Sequence, residues 1–343
     1  MEYYDVIIVG AGIAGCGLAY NLKKIGYTGS VLIIDKKEVG AHKGHGVRNT
    51  FGSTQKKYQL PYFQKYDGIK MYVYDEHFFT IEEEVFSMDY EVICKNLLNK
   101  SSAIFKQEVA GDTCNNTLIT NKNNYRFQYL IDCSGFWGFL RKKLKMKAPL
   151  RYWIGNLHKI EIPIKSDLDK NYIHYSHGDN GYVEEINPHN KFATHGDWQF
   201  VKSLNFNLIS PPKNSLMKKF LDEKMINEFS RGIIVNSPQF SPVRGNYVLL
   251  GDSMGTSPPS TAFGIRPLLE LSELLSNAIL INKLSIFEKQ WKKNYFDSYI
   301  KYLVGKFDFF GNSKFVKVLK QYPSYYKIFK TILTYGCDEY FKI

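Results

Sequence analysis

The run Tyr4-Asp5-Val6-Ile7-Ile8-Val9, apolar and β-branched apart from its second residue, passes directly into Gly10-Ala11-Gly12-Ile13-Ala14-Gly15 and then into a helix-like segment from Leu18 to Ile25. Strand, tight turn and helix must follow one another without a spare residue. Gly10 permits the turn, Gly12 lets an anion approach the backbone at the positive end of the helix, and Gly15 allows helix and strand to touch. A second buried run, Val31-Leu32-Ile33-Ile34, ends at Asp35, twenty residues beyond Gly15. A carboxylate placed there accepts ribose hydroxyls. This is the pattern of a βαβ unit that binds a dinucleotide, with Gly10, Gly12, Ile13, Ala14, Gly15, Asp35 and Lys36 as expected contacts.

A chain of 343 residues that is 44% hydrophobic can bury one large core or two intimate ones. No stretch reaches the ~18 apolar residues of a membrane span, and the first strand starts too near Met1 for a signal peptide, so a cytoplasmic protein is expected. Cys16, Cys94, Cys114, Cys133 and Cys337 are scattered and form no CxxC pair, which argues for reduced thiols without a zinc site. The net charge of +12 favours an anionic partner. Residues 286–343 hold eleven lysines, no arginine, five acids and seventeen aromatics. Arginine is the usual reader of bases, so no nucleic-acid partner is expected. Phe287, Trp291, Tyr295 and Tyr299 fall four apart, on one face of a helix. Packing against the body accounts for that face; peripheral contact of 286–343 with an anionic membrane is the sharper expectation.

Gly68–Tyr74 and Phe78–Ile81 read as a hairpin, Tyr90–Lys100 as a helix and Tyr129–Ile131 as a strand leading into Asp132-Cys133-Ser134-Gly135. From Tyr152 to about Phe206 the chain is strand-rich, including Ile160–Ile164, Tyr172–Tyr175 and Lys191–Thr194, as for an inserted antiparallel domain. Leu216–Ser230 carries a helical period, Tyr247–Leu250 a strand, and Ile265–Ile281 a long apolar helix.

The segment Gly251-Asp252-Ser253-Met254-Gly255, followed by Pro259, Thr261, Gly264 and Ile265, resembles the GDAAG…P…G.GI segment of FAD-dependent oxidoreductases of the glutathione-reductase superfamily, especially geranylgeranyl reductases and aromatic hydroxylases. The resemblance implies an α/β fold: a Rossmann-like FAD-binding domain, an inserted antiparallel β-sheet substrate domain and C-terminal helices. Asp252 would hold the ribityl chain, and the helix from Ile265 would aim its N-terminus at the flavin, with Arg266 adding positive charge. Asp132 to Gly135 with Arg141 resembles the DxxG-plus-arginine segment beside the cofactor phosphates. Met88–Leu97 resembles the (D)RxxFDxxL stretch, with Tyr90 in place of the arginine and Cys94 in place of the aspartate. Residues 1–66, 84–150 and 240–282 would form the FAD domain, 67–83 and 151–239 the substrate domain, and 283–343 a helical C-terminal region.

Gly251–Gly255 also spells GxSxG, the nucleophile elbow of α/β-hydrolases, but that fold needs its histidine after the serine and the last histidine here is His195. On the substrate side, Gly181–Pro188 stands where the resembling families carry GYxWxFP, with glutamates at the tryptophan position; the absence of WxWxIP argues against a halogenase. Ala41–Arg48 occupies the place of a cysteine-containing turn, so Gly46 and Val47 would lie by the flavin, with His45 and Arg48 as catalytic candidates. His174 and His177 are not spaced to share a metal on a strand, and no metal is expected.

The resemblance implies hydride transfer from reduced FAD to a carbon–carbon double bond of an isoprenoid or lipid. With no second GxGxxG, electrons would come from NAD(P)H docking transiently or from a ferredoxin-like carrier. A flavin monooxygenase, or a nucleotide- or membrane-binding protein without redox chemistry, are the alternatives.

Overall fold

The computed structural model describes residues 1–41, 46–147, 152–161, 167–178, 182–190, 192–201, 215–221, 226–235, 238–257 and 264–296. Its first sheet has a parallel core in the order Tyr247–Leu249, Asn124–Asp132, Glu2–Val9, Val31–Asp35, Ile104–Gln107. The two central strands are apolar throughout their inner length because both faces are covered: Val6, Ile7, Ile8, Leu32, Ile33 and Ile34 are buried. Helices Ile13–Lys24, Tyr90–Asn99 and Ile265–Leu280 pack together on this sheet. Asp89 caps the second of them by accepting from the Val92 N–H at 3.0 Å.

A small antiparallel sheet of Val47–Phe51, Val85–Asp89 and Gln64–Tyr66 leads to a second large sheet. That one runs in the order Ile226–Val235, Tyr152–Glu161, Phe192–Val201, Tyr182–Pro188, Tyr172–His177, Gly68–Val73, Glu76–Ile81. The last two strands form the expected hairpin. The sheet is not wholly antiparallel, because Tyr172–His177 pairs with Gly68–Val73 in parallel. Strand alternation gives the sheet two distinct faces. One carries Trp153, Leu157, Tyr175, Val183, Glu185 and Trp198 toward a cavity. On the other, Tyr72, Ile160, Ile186 and Ala193 pack beneath the short helix Leu216–Phe220.

One expectation is corrected here. The helical period assigned to Leu216–Ser230 survives only at Leu216–Phe220, and Ile226–Val235 is a ten-residue strand along Tyr152–Glu161. Non-local pairing overrides a local spacing that Ile226, Phe229 and Ile233 share with a helix. The aromatic face beyond residue 283 turns inward. Phe287, Trp291 and Tyr295 are buried on Leu284–Trp291 and the π-turn Lys292–Phe296, and the Trp291 indole donates to the Gln239 carbonyl at 2.8 Å. These three residues face the body rather than a membrane; Tyr299 and residues 297–343 lie outside the described residues. No described helix is long and apolar enough to cross a membrane.

Gly10 fixes how Glu2–Val9 meets Asn124–Asp132. Its φ is +116°, and a Cβ there would lie 2.2 Å from the Cys133 carbonyl oxygen. Gly10→Ala is therefore expected to destabilise the fold by at least about 1–3 kcal/mol, the usual cost of such a backbone conformation in a non-glycine residue. Urea unfolding measures it; an unchanged midpoint would refute this account of the turn.

Candidate active site

Three loops meet at the carboxyl ends of the parallel strands, the usual place for a ligand in a sheet of this kind. In the first, Gly12 is the N-cap of helix Ile13–Lys24 and offers no side-chain cap, and the helix has no acid in its first turn. The N–H groups of its first turn and its positive end suit an anion. Gly15 allows the turn to fold onto itself, since a Cβ there would lie 2.0 Å from the Gly10 carbonyl oxygen. Asp35 accepts from the Ala11 N–H at 2.8 Å and the Lys37 N–H at 3.0 Å, which orients its carboxylate beside the turn. Lys36 places its ammonium 5.0 Å from the Trp137 ring centre.

The second loop contains Asp132 and Arg141, both buried and both committed to the protein. The Asp132 carboxylate accepts from the Ser134 N–H and hydroxyl at 2.9 and 2.6 Å and from the Leu140 N–H at 2.7 Å. Burial raises its pKa despite these donors. Arg141 donates to the carbonyls of Ser253 and Phe136 at 3.2 and 3.1 Å, joining this loop to the third. Gly135 opens the intervening turn with φ +67°.

In the third loop, Gly251 has φ +74° and Asp252 stands on the cavity wall. Its carboxylate accepts from the Ser257 hydroxyl at 2.9 Å. Burial lifts its pKa to about 6, against the opposing pull of Ser257, Arg48 and Arg141. Ser253 is no exposed nucleophile: it is fully buried, and its hydroxyl donates to the carbonyls of Asp132 and Leu250. Gly264 and Ile265 also line the cavity at the start of helix Ile265–Leu280. Arg266 pairs with Glu270 at 2.9 Å on the same helix. Pro259 and His45 lie outside the described residues.

The cavity encloses about 360 Å³ between these loops and the second sheet. Val47 and Arg48 line it, while Gly46 supports it by accepting from the Tyr90 N–H through its carbonyl at 2.8 Å. The Arg48 guanidinium lies 5.3 Å from the Tyr90 ring centre, within cation–π range. The Tyr90 hydroxyl accepts the Ile13 N–H at the head of the first helix. A Cβ on Gly12 would stand 2.5 Å from that hydroxyl oxygen.

Two features escaped the sequence reading. Glu184 and Glu185 point to opposite faces, and Glu185 enters the cavity. A directional chain holds it: Ser87 hydroxyl to Asn49 at 2.5 Å, Asn49 amide to Asn187 at 2.8 Å, Asn187 amide to Glu185 at 3.1 Å. Burial raises the Glu185 pKa, with Asn187 and Arg48 acting in the other direction. The second feature is the Trp198 indole, laid flat across its neighbouring strands because they lack side chains beneath it. Cβ atoms on Gly155 and Gly232 would stand 2.2 and 2.7 Å from its ring. The period-2 alternation around Glu184-Glu185 was the available signal for the first feature; the second rests on glycines far apart in sequence.

Residues 5–59 match the family of FAD dependent oxidoreductases (DAO). The chain is similar to a geranylgeranyl bacteriochlorophyll reductase-like protein from Thermoplasma acidophilum, at 17% identity and TM-score 0.75, over 98% of this chain and 97% of that one. It is also similar to the flavin-dependent brominase Bmp2, at 17% identity and TM-score 0.70, over 98% and 94%. A third likeness is to tetracycline destructase Tet(55), at 13% identity and TM-score 0.65, over 98% of each chain. At these identities the likeness establishes the fold. Together with the match over the glycine turn, it supports FAD as the cofactor and FAD-dependent oxidoreductase as the class.

The raised pKa of Asp252 has a signature in the FAD-free protein. The folded state holds this proton more tightly than the unfolded chain, whose aspartates titrate near about 3.9. The stability it contributes is full below that value and is lost as pH rises through about 6. Calorimetry of wild type and Asp252→Asn between those limits should show the wild type losing ground as pH rises; parallel curves would refute the shift.

Proposed function

We propose that this chain is an FAD-dependent reductase of carbon–carbon double bonds in an apolar, isoprenoid-like lipid. The observation that carries the reading is a cavity walled by Trp153, Leu157, Tyr175, Val183 and Trp198 whose sheet face bears, among the described residues, a single carboxyl, Glu185. An aromatic and aliphatic wall suits an apolar chain, and one buried acid suits protonation of a carbon.

The residues fit FAD by their donor set. The uncapped N-terminus at Gly12, Ile13, Ala14 and Gly15 would hold the pyrophosphate, Asp35 the ribose hydroxyls, and Asp252 the ribityl chain. Gly264 and Ile265 would present the N-terminus of their helix to the flavin ring. Gly46 and Val47 would lie beside the ring, and Asp132, Gly135 and Arg141 would keep the loops in register behind it. When bound, FAD supplies the hydride, and NAD(P)H or a ferredoxin-like carrier renews it. Burial favours the protonated form of Glu185, which would give its proton to the second carbon, so that one hydride and one proton saturate the double bond. Arg48, stacked on Tyr90, keeps positive charge at the cavity edge and orients the polar end of the substrate.

Glu185→Gln is expected to lower turnover by about 10²-fold or more, the usual worth of a positioned general acid, while FAD stays bound. Anaerobic reoxidation of the reduced protein by polyprenyl lipids measures it. Unchanged reoxidation in the variant would remove Glu185 from the mechanism; oxygen consumption with a hydroxylated product would replace the reductase by a monooxygenase.

A further inference from the structure

The face of the second sheet that points away from the cavity buries a group of polar side chains that the proposed reaction does not use. His158 and His195 stand opposite one another on antiparallel strands Tyr152–Glu161 and Phe192–Val201, and Asp197 is two residues beyond His195. Cross-strand pairing and the two-residue period therefore put all three on one face. One donor atom from each lies within 4.8 Å of the others. Nε2 of His158 and an oxygen of Asp197 are 3.4 Å apart. Two ligands of one tetrahedral ion with bonds of about 2.0–2.1 Å stand at nearly that separation. The side chains are 11% exposed for His158, 0% for His195 and 3% for Asp197, so bulk water does not account for the grouping.

The surrounding bonds leave a ring nitrogen of His195 and an oxygen of Asp197 for a ligand. Glu184 lies 2.8 Å from Nε2 of His195 and also accepts the backbone N–H groups of Leu216 and Met217 at 2.8 and 2.6 Å. In the neutral imidazole that donates from Nε2 to this carboxylate, the lone pair falls on Nδ1. That Nδ1 is buried and has no hydrogen-bond partner among the described residues. A buried acceptor left this way costs stability unless something binds it, and a carboxylate on the far nitrogen is the usual means of orienting a ligating histidine. Asn156 donates to one oxygen of Asp197 at 2.8 Å, which leaves the other oxygen toward His158.

We propose that His158, His195 and Asp197 bind one divalent transition-metal ion, zinc by ligand chemistry, with Glu184 as the positioning residue behind His195. Two neutral imidazoles with the carboxylates of Asp197 and Glu184 balance a doubly charged ion without a surplus charge in the core. The ion staples the two strands whose alternate residues, Leu157 and Trp198, wall the cavity on the opposite face, and Glu184 ties the same point to helix Leu216–Phe220. Its role is structural, and the reading does not depend on the identity of the substrate.

The test uses the full chain expressed with zinc and freed of loose metal by gel filtration. Metal analysis is expected to find about one zinc per chain, with a melting temperature that falls on chelation and recovers on adding zinc. His158→Gln and Asp197→Asn are expected to lose both the ion and the zinc-dependent melting shift, while the control His77→Gln, at an exposed histidine of the same sheet, keeps both. Should the two variants fail to fold, cobalt(II) loaded into the wild type decides: the intense visible bands of a tetrahedral site support the proposal. Wild type without retained zinc, variants that retain it, or cobalt with only the weak bands of a hexa-aqua ion would each overturn it.

Discussion

The rest of the structure depends on a backbone seam at the ends of four parallel strands. The Gly10 N–H bonds the Ile34 carbonyl at 2.8 Å, the Cys133 N–H bonds Val9 at 2.8 Å, and the Leu250 N–H bonds Asp132 at 2.9 Å. These bonds carry the sheet ladder past the point where the strands would part. The three loops that form the cofactor side of the cavity therefore leave the sheet from fixed positions. Side chains at the seam reinforce it rather than face ligand: Ser253 and Arg141 spend their donors on neighbouring carbonyls, and Asp132 is filled by three donors. Buried polar groups so fully satisfied give rigidity, which a site that must hold a large cofactor requires.

Against this fixed side stands a wall of another kind. The second sheet meets the cavity with aromatic and aliphatic side chains and a carboxyl held by a chain of amides. The first sheet supplies the N-terminus of a helix and oriented carboxylates. The reductase-like protein, the brominase and the destructase share the framework with this chain, and chemistry is set where the framework leaves room.

Local signals in the sequence were sufficient wherever the structure is local. The strand, glycine turn and helix from Tyr4 onward, the hairpin at Gly68–Ile81 and the helix from Tyr90 each depend on neighbours in the chain, and each could be read from periodicity. Of the residues named from the sequence, Asp35 lies beside the glycine turn, and Val47, Arg48, Asp252 and Ile265 line the cavity. Asp132 and Arg141 proved to join loops to one another, a distinction that motif spacing does not carry. Ile226–Val235 was misread because its apolar residues fit two periods and a strand more than sixty residues earlier decides between them. Likewise, the glutamates of Tyr182–Pro188 looked like the loss of an aromatic residue. Their opposite orientations assign one to the cavity and one to the histidines behind it.

The Trp198 indole rests where two glycines leave the sheet bare. The depth of the cavity at that point is therefore set by atoms that are absent from the neighbouring strands rather than by the tryptophan itself. A methyl group gained at Gly155 would lift the ring as a shim lifts a plate, narrowing the slot without altering any residue that lines it. The width of the cavity can accordingly drift through a change that leaves every wall residue in place.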